Sequence, residues 1–530
     1  MFASLLKKIG SLPLTIESWL LSATGIIIIR IFLEHYSSNE AGRFVLIDAS
    51  TVVHYVVFFL ATLLLGTLIY MFFSRSTLKE SSVITLFGFM IIWFPPVADL
   101  VISRGGGFTM HYLFLQSHDL AKAFLTLFWS TDSFGITYGI RIEVIIVILA
   151  MFSVVYFKTK SFIRALVAAF LIYLGIFILV SLPSFFGIFQ NRSIPTFVQN
   201  SILNSRIMNN TTYPEQFGYE RTLDVGFNSL MTQANLLITL FLASLICLVG
   251  YREKFKVLFN NSRFERILHY SLLIVVGAVF GGGPNFFHSW INILSLLMTV
   301  MSFVFAWLVA VCINDIYDKE IDDISNNNRP LPQGLFSSGE FYSLSIVFFI
   351  ISLVAAYSSS MYGLFFVIAF SFAYYIYSVE PLRLKRHWIT GALIIGFACA
   401  TALLAGFFLS APDKSFLSFP PLFVLAVVIL FGFGSMIRDI KDYDGDKAKG
   451  ISTLPVLVGL TKSKIVIGSV ITLGFLATAY FFRDRFLAIA AIIASIIVWR
   501  IFFAKIYKEK NFFVVYLTFL IIFIVIFLSH

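Results

Sequence analysis

Long runs of apolar residues, separated by short polar or charged stretches, recur along the whole chain. Many runs contain about 17 to 25 residues, which is the length that a helix needs to cross about 30 Å of hydrocarbon. A helix satisfies its own backbone hydrogen bonds inside the membrane, so the pattern predicts helices rather than an open sheet. We therefore predict an all-α, polytopic transmembrane bundle of about 15 helices.

The apolar runs fall into two blocks on either side of a basic stretch. Six predicted spans lie in residues 1–250, which also contain long polar loops, and nine lie in residues 267–530. Residues 251–266 carry five Lys and Arg, and we interpret them as a cytoplasmic linker. The sequence thus predicts two membrane domains, of which the first carries no motif that names its chemistry.

Composition supports a membrane protein and explains the basic charge. The chain is 59% hydrophobic and only 12% charged, so it cannot present a polar surface on all sides. A net charge of +10 would suggest nucleic acid in a soluble protein. In the second block, however, nineteen Lys and Arg lie in the loops of one side and three in those of the other. We therefore expect a multi-pass protein of a prokaryotic-type cell membrane, with a cytoplasmic N-terminus and no nucleic-acid partner.

Residues 314–323 place five acidic side chains in ten positions, although the chain has only 28 acidic residues. Asp315, Asp318 and Asp322 are offset by three and seven positions, so on one helix they would share a face. Like charges placed in this way repel one another unless a cation or a ligand compensates them. The spacing therefore indicates a binding site, and a solvated helix end is the alternative.

The same offsets recur at Asp439, Asp442 and Asp446, again after an apolar run on the predicted cytoplasmic side. Acids are unfavourable at a helix C-terminus, where the macrodipole is negative, so a simple cap would use Lys or Arg. Clustered carboxylates suit Mg²⁺, which completes its shell with water and substrate phosphate oxygens. We therefore predict a magnesium-bound diphosphate held between the two acidic groups.

Basic residues that could meet the remaining phosphate charge lie near both acidic groups. Arg329 is the strongest candidate, because Pro330 and Pro332 stiffen the loop that carries it. The general bias toward cytoplasmic Lys and Arg accounts for part of this set. The other candidates are Arg383, Lys385, Arg386, Lys441 and Lys447.

Taken together, these motifs resemble those of the UbiA superfamily of intramembrane prenyltransferases, over about residues 265–530. The resemblance is carried by Asn314-Asp-x-x-Asp-x-x-x-Asp322, by Arg329-Pro-Leu-Pro-x-Gly and by Asp442-x-x-x-Asp446-x-x-x-Gly450. It implies an all-helical bundle with a central cavity that opens to lipid. It also implies that an isoprenyl group passes from a polyprenyl diphosphate to a lipophilic, membrane-associated acceptor, with Mg²⁺ as the cofactor.

The resemblance also implies roles for individual residues. Metal and diphosphate would bind Asp315, Asp318 and Asp322 on one side and Asp442 and Asp446 on the other, with Asp439 assisting. The residues that would contact the substrate are Asn314, Arg329, Tyr377, Lys385, Arg386 and Lys441. Tyr377, Lys385 and Arg386 match the family's pattern only loosely, because the spacing here is longer.

Two other functions are consistent with clustered carboxylates. One is a transporter or flippase of a lipid phosphate, although transport sites usually lie near the bilayer midplane, whereas both acidic groups lie at one surface. The other is a non-catalytic scaffold derived from an enzyme, which would have no physical need for mutually repelling charges. We favour the prenyltransferase.

The first block contains charged residues within its apolar runs. Arg30 and Glu34 are four positions apart, so they can pair on one helix. Pro95 and Pro96 predict a kink or a broken helix, and Asp99 is expected near the outer interface. This block could deliver a substrate, receive the product or bind a protein partner.

Overall fold

The computed structural model describes residues 2–37, 48–104, 112–129, 136–187, 194–203, 206, 218–325, 328–441, 443, 447, 452–504 and 507–529. Within these ranges the secondary structure is helical and contains no β-strand. Fifteen helical segments within these ranges are long and apolar enough to cross a membrane, and one of them, Leu78–Ile102, contains two shorter helices. The prediction of an all-α, multi-pass membrane protein with about 15 spans is therefore confirmed.

The chain divides into two compact units. The first contains residues 1–204 and 217–255, and the second contains residues 205–216 and 256–530. The helices of the first unit are α1 (Phe2–Gly10), α2 (Ile16–Ser37), α3 (Ala49–Ser74), α4 (Leu78–Phe89), α5 (Phe94–Ile102), α6 (Ser117–Leu125), α7 (Tyr138–Thr159), α8 (Phe162–Val180), α9 (Leu182–Gly187), α10 (Ile194–Leu203) and α11 (Gly218–Gly250).

Two of the expectations for the first unit are confirmed. The span that contains Pro95 and Pro96 is broken, because a 3₁₀ turn at Met90–Trp93 separates α4 from α5. Both prolines lie in the first turn of α5, where a missing N–H costs no hydrogen bond. Arg30 and Glu34 form a buried ion pair of 2.5 Å on α2.

Asp99 lies near the end of α5 and is buried. Its carboxylate accepts a hydrogen bond of 2.7 Å from the backbone N–H of Gly139, at the start of α7. The sequence did not predict this contact, because the two residues are forty positions apart. Asp99 thus satisfies an unpaired backbone donor in the first turn of α7 and joins two elements of this unit.

The second unit contains the nine remaining spans and several shorter helices. In chain order from the linker these are α12 (Arg252–Asn260), α13 (Phe264–Phe286), α14 (Trp290–Tyr317), α15 (Lys319–Ser325), α16 (Ser338–Ser359), α17 (Met361–Ser378), α18 (Trp388–Ser410), α19 (Pro421–Gly434), α20 (Ile437–Lys441), α21 (Leu454–Val458), α22 (Leu460–Phe482), α23 (Arg485–Phe502) and α24 (Glu509–Ser529).

Glycines allow α13 and α18 to touch backbone to backbone. A Cβ atom added to Gly277 would lie 1.9 Å from the carbonyl oxygen of Leu403, and one added to Gly406 would lie 1.9 Å from that of Ile274. Small residues at such contacts are typical of membrane helices, which gain stability from close packing rather than from the hydrophobic effect. α18 is the most buried of the described spans, and the bundle packs around it.

Candidate active site

A cavity of about 1990 Å³ lies within the second unit. On α13 its lining residues lie one, three or four positions apart; they are Glu265, Arg266, His269, Tyr270, Leu273, Val276 and Phe280. This spacing follows one face of a helix, so the cavity runs along about 21 Å of α13, at 1.5 Å per residue. Charged residues line one end of the cavity, and aromatic residues line many other parts of it.

We call the first of these the charged end; it contains Asp318, Asp322, Arg329, Arg383 and Lys385. Behind it lies Asp315, in the last turn of α14, with only 1% of its surface exposed. Its carboxylate accepts hydrogen bonds from Asn261 at 2.8 Å, from Arg263 at 2.9 Å and from Arg329 at 3.2 Å. These partners satisfy a buried charge that would otherwise be costly.

Arg329 connects two members of the first acidic group. Its guanidinium contacts the carboxylates of both Asp315 and Asp322. The loop that carries it folds back on itself, because the N–H of Gln333 donates to the carbonyl oxygen of Arg329 at 3.1 Å. Gly334 completes this turn at φ +68°, a left-handed conformation that favours glycine. The local fold therefore holds the Arg329 side chain in place.

Asp318 binds a different pair of cations. Lys385 Nζ lies 2.6 Å from each of its carboxylate oxygens, and Arg383 Nη2 lies 2.8 Å from one of them. Lys385 also donates to Asn314 Oδ1 at 3.1 Å. Both bases come from the loop between α17 and α18, in which residues 384–386 form a 3₁₀ turn.

The prediction that Asp315, Asp318 and Asp322 share one face of a single helix is wrong. α14 ends at Tyr317, and Asp318 caps it with φ −100° and ψ 5° before α15 begins. The acid at this helix end is compensated by cations from distant segments rather than by its own helix. Asp315 and Asp322 still meet at Arg329, whereas Asp318 turns toward Lys385.

A second group of polar residues lies where the apolar run of α19 ends. Arg438 Nε lies 3.1 Å from Asp439 Oδ1, and its guanidinium lies 5.5 Å from the ring centroid of Tyr377. Tyr377 and Asp439 are buried, and all three residues line the cavity. The structure therefore brings Tyr377 and Asp439 to the same cavity as the first acidic group.

The remaining predicted residues are less central or lie outside the described ranges. The side chain of Arg386 is 59% exposed and pairs with Glu380 at 2.7 Å, at the rim of the cavity. Lys441 is the last residue of α20, but its side chain is outside the description. Asp442 and Asp446 are outside it altogether, so the predicted second acidic face stays a prediction.

Comparison with known proteins connects this geometry with a family. Residues 270–527 match the model of the UbiA prenyltransferase family. The C-terminal half of the chain belongs to this family. No family model matches the N-terminal half. The family recognised from the sequence motifs is thus confirmed for the half of the chain that contains the cavity.

Several UbiA relatives resemble this half. A digeranylgeranylglyceryl phosphate synthase of Sulfurisphaera tokodaii is 31% identical over 195 residues, which are 36% of this chain and 66% of the relative. A bacteriochlorophyll synthase 33 kDa chain of Cereibacter sphaeroides is 27% identical over 152 residues, or 28% of this chain and 48% of the relative. A UbiA homologue from Archaeoglobus fulgidus, solved with DMAPP and Mg²⁺, is 19% identical with a TM-score of 0.40, covering 52% of this chain and 96% of the homologue.

The cations of this UbiA bundle depend on their carboxylates. Burial lowers the pKa of the Lys385 ammonium, and the adjacent Asp318 carboxylate opposes that effect. Burial likewise lowers the pKa of the Arg263 guanidinium, and Asp315 opposes it. Both cations are therefore partly removed from water, where each needs an anionic partner. Oxygen atoms of a phosphate can serve as such a partner.

The residues at the charged end match the kind of ligand that magnesium prefers. No group of three or more His, Cys, Asp or Glu is placed to hold a metal ion within the part of the chain that the structure describes. However, the Lys385 ammonium already sits among three oxygen atoms, two from Asp318 and one from Asn314. Mg²⁺ binds in the same kind of environment, among carboxylate and amide oxygens, and substrate oxygens complete its coordination shell.

Three residues at the site were not among those predicted from the sequence. They are Asn261, Arg263 and Arg438, which contact Asp315 or Asp439. Asn261 and Arg263 lie in the predicted linker, whose basic residues we interpreted only as evidence that this loop lies on the cytoplasmic side of the membrane. Both residues lie more than fifty positions before Asp315, so no local sequence pattern could have predicted the contact.

Proposed function

We propose that this protein is an integral-membrane prenyltransferase that moves an isoprenyl group from a polyprenyl diphosphate to a lipophilic acceptor. The observation that carries the proposal is the charged end itself. Acidic and basic side chains from four separated segments meet there, at one end of a largely apolar cavity between membrane helices. Such a cavity suits a ligand with an anionic head and a long apolar tail.

The charged end provides the groups that departure of a diphosphate requires. Arg329, Arg383 and Lys385 can donate to its oxygens and so stabilise the charge that builds up on them in the transition state. When bound, Mg²⁺ supplies further neutralisation of this negative charge. We propose that Asp318 and Asn314 hold the ion, and that Asp322 and the predicted Asp442 and Asp446 contribute to the same site.

The bond changes follow from these roles. The C–O bond between the allylic carbon and the diphosphate breaks, and both electrons leave with the diphosphate. A nucleophilic atom of the acceptor then forms a bond to that carbon and gives up a proton. The apolar wall of the cavity excludes water, which would otherwise attack the same carbon. The relatives are named for lipophilic products, digeranylgeranylglyceryl phosphate and bacteriochlorophyll, which is consistent with an acceptor that lies in the membrane.

The size of the cavity supports two ligands rather than one. Sites for a single small molecule usually measure about 300–1,000 Å³. The cavity here is about 1990 Å³, so a donor tail and an acceptor can both fit. We further propose that the charged end faces the cytoplasm, as the distribution of Lys and Arg in the loops indicates. Residues 1–250 would form a separate membrane domain.

The decisive experiment measures diphosphate release by the full-length protein in proteoliposomes. Geranylgeranyl diphosphate is the donor, and lipids from cells that lack the protein supply the acceptor. We expect release to stop with EDTA and to return with Mg²⁺. Asp318→Asn and Asp322→Asn should lower the rate by about a hundredfold or more. Asp413→Asn, an exposed acid in the loop between α18 and α19, is the matched control.

Mass spectrometry of the same reaction would identify the prenylated acceptor. Equal release by wild type and by both Asn variants would contradict the proposed site. Movement of a lipid phosphate across the membrane without any new product would instead support a transporter.

A further inference from the structure

A set of polar and titratable side chains lines the cavity directly beyond the charged end. We call this set the polar layer; it consists of His269 and Tyr270 on α13, Tyr374 on α17, Cys399 on α18 and Tyr516 on α24. Each of the five is 9% exposed or less, so it is largely shielded from water. No step of the proposed reaction uses them. Polar groups buried among membrane helices are commonly functional, so their position and contacts are informative.

The position of the polar layer follows from α17. Ser378, the last residue of α17, donates to Asn314 Oδ1 at 3.3 Å, and the same oxygen accepts from Lys385 of the charged end. Tyr374 lies one turn earlier on α17, which corresponds to about 6 Å. Its hydroxyl is hydrogen-bonded to that of Tyr270 on α13. The polar layer therefore faces the place where the allylic carbon would lie, because that carbon is bonded directly to the diphosphate.

The imidazole of His269 has a partner at both ring nitrogens. Nδ1 lies 2.8 Å from the hydroxyl oxygen of Tyr516, and Nε2 lies 3.2 Å from Cys399 Sγ. A neutral imidazole has one N–H donor and one acceptor nitrogen, whereas a hydroxyl or a thiol can both donate and accept. In one of the two tautomers, the Tyr516 hydroxyl thus donates to Nδ1 while the Nε2–H points at the sulfur. Nδ1 can then take the phenolic proton along an existing hydrogen bond.

The surroundings of His269 allow it to hold a proton for a short time. Burial disfavours a charged imidazole, so we expect His269 to be neutral before the reaction. Arg266, one turn toward the charged end on α13, pairs with Glu509 at 2.9 Å, so its positive charge is compensated. An imidazolium would donate to both the Tyr516 oxygen and the Cys399 sulfur, which leaves neither N–H unsatisfied. The departing diphosphate adds a negative charge at the adjacent charged end.

We propose that Tyr516 and His269 together take the proton that the acceptor loses. This proposal rests on the proposed function, because it assumes that the diphosphate leaves at the charged end. As the acceptor atom bonds to the allylic carbon, its proton passes to the Tyr516 oxygen, and the electrons of the broken bond stay on the acceptor atom. The phenolic proton of Tyr516 passes at the same time to His269 Nδ1.

The positive charge then resides on the imidazolium, which gives its proton to water after the products leave. Tyr516 is a catalytic residue in this scheme, because it touches the acceptor. His269 is a positioning residue that acts through Tyr516. General-base assistance of this kind typically accelerates a reaction by about a hundredfold to ten-thousandfold.

The first test is Tyr516→Phe, which removes one oxygen and keeps a ring that stacks on Phe512 at 6.1 Å. The full-length protein in proteoliposomes receives Mg²⁺, geranylgeranyl diphosphate and lipids from cells that lack the protein. Mass spectrometry measures kcat for formation of the prenylated acceptor, which should fall by about a hundredfold or more. Tyr375→Phe is the matched control, because Tyr375 is a 53% exposed tyrosine on α17 that does not line the cavity. Its kcat should equal that of the wild type.

The second test distinguishes a proton acceptor from a packing residue. His269→Ala should lose activity to a similar extent, and added imidazole should raise kcat of this variant by about tenfold or more. Pyrazole has a ring of the same size but is a much weaker base, so it should give no rescue. A role in packing alone would be restored equally by both rings. The wild type should respond to neither compound.

Each result decides between these roles. Wild-type kcat in Tyr516→Phe would overturn the proposal, as would equal rescue of His269→Ala by both rings or rescue by neither. If His269→Ala does not fold, His269→Gln replaces it, because glutamine keeps a donor and an acceptor but cannot take a proton. Wild-type kcat in His269→Gln would likewise overturn the proposal. Absence of diphosphate release in the wild type would overturn the proposed function instead.

Discussion

Arg30 in the first unit and Arg329 in the second are both paired with buried carboxylates, but the two pairs are built differently. Arg30 contacts Glu34 one turn away on the same helix, and it is 3% exposed. Arg329 comes from a loop beside a cavity and joins two carboxylates that lie seven positions apart. A local, enclosed pair has only to satisfy its own charges, whereas a cation beside a cavity can exchange a carboxylate for an oxygen of a ligand.

The largest effect on stability is expected from Arg30→Ala. This change leaves Glu34 charged and buried without its nearest cation, which typically costs about 3–5 kcal/mol. Thermal unfolding of the purified protein in detergent should show the loss. Replacing both partners, as Arg30→Met with Glu34→Leu, should recover most of the stability. An unchanged unfolding temperature in Arg30→Ala would mean that the Arg30–Glu34 ion pair does not stabilise the fold.

Arg329→Ala should affect activity more than stability. Asp315 keeps its contacts with Arg263 and Asn261, so its buried charge remains compensated. Asp322 loses its contact with Arg329, but it lines the cavity, where a bound cation can reach it. Loss of a donor to the departing diphosphate is expected to lower kcat/KM by about a hundredfold to a thousandfold, or roughly 2.7–4 kcal/mol. Arg329→Lys should restore only part of the lost activity, since lysine lacks the planar guanidinium group that can donate two parallel hydrogen bonds.

Arg485→Ala serves as the control for Arg329, because Arg485 is an exposed residue in the first turn of α23. Its kcat/KM should equal that of the wild type. If Arg329→Ala unfolded the protein as readily as Arg30→Ala, the difference between the two pairs would disappear.

Arg383 and Lys385 allow a finer test, because both contact Asp318. Each single change to Ala leaves one cation on this carboxylate, so the loss of activity in the double variant should exceed the product of the two single losses. A coupling energy of about 0.5–3 kcal/mol is expected from a double-mutant cycle in kcat/KM. Strictly additive losses would show that the two cations act on separate parts of the ligand.

The smallest effect is expected from Arg386→Ala. Its side chain is largely exposed and pairs with Glu380, and exposed pairs contribute about 0–1 kcal/mol. Activity should change by less than about threefold, as it should in Glu380→Ala. A loss comparable to that of Arg329→Ala would instead give Arg386 the substrate contact that the resemblance implied.

The sequence predicted those features that depend on local pattern. Span length and apolar composition fix the number of helices, and the four-residue spacing of Arg30 and Glu34 fixes their pairing. The end of α14 at Tyr317 was not predicted, because the partners of Asp318 come from a loop more than sixty positions later. Arg263 was missed for the same reason, since its contact with Asp315 forms only when two helices pack. Periodicity reports which residues share a face, but it does not show which distant segment faces them.

The glycine contacts between α13 and α18 restrict how bulky lipids can reach the interior. Where two backbones touch, the helices cannot separate without losing their closest packing, and no flexible side chain can swing aside to open a gap. We therefore expect no lipid to pass between α13 and α18. We expect lipid traffic to use the flank where Leu422 on α19 and Tyr480 on α22 line the cavity and are 80% and 83% exposed. Gly277 and Gly406, by keeping α13 and α18 together, would thus help to decide on which flank the membrane and the enzyme exchange their molecules.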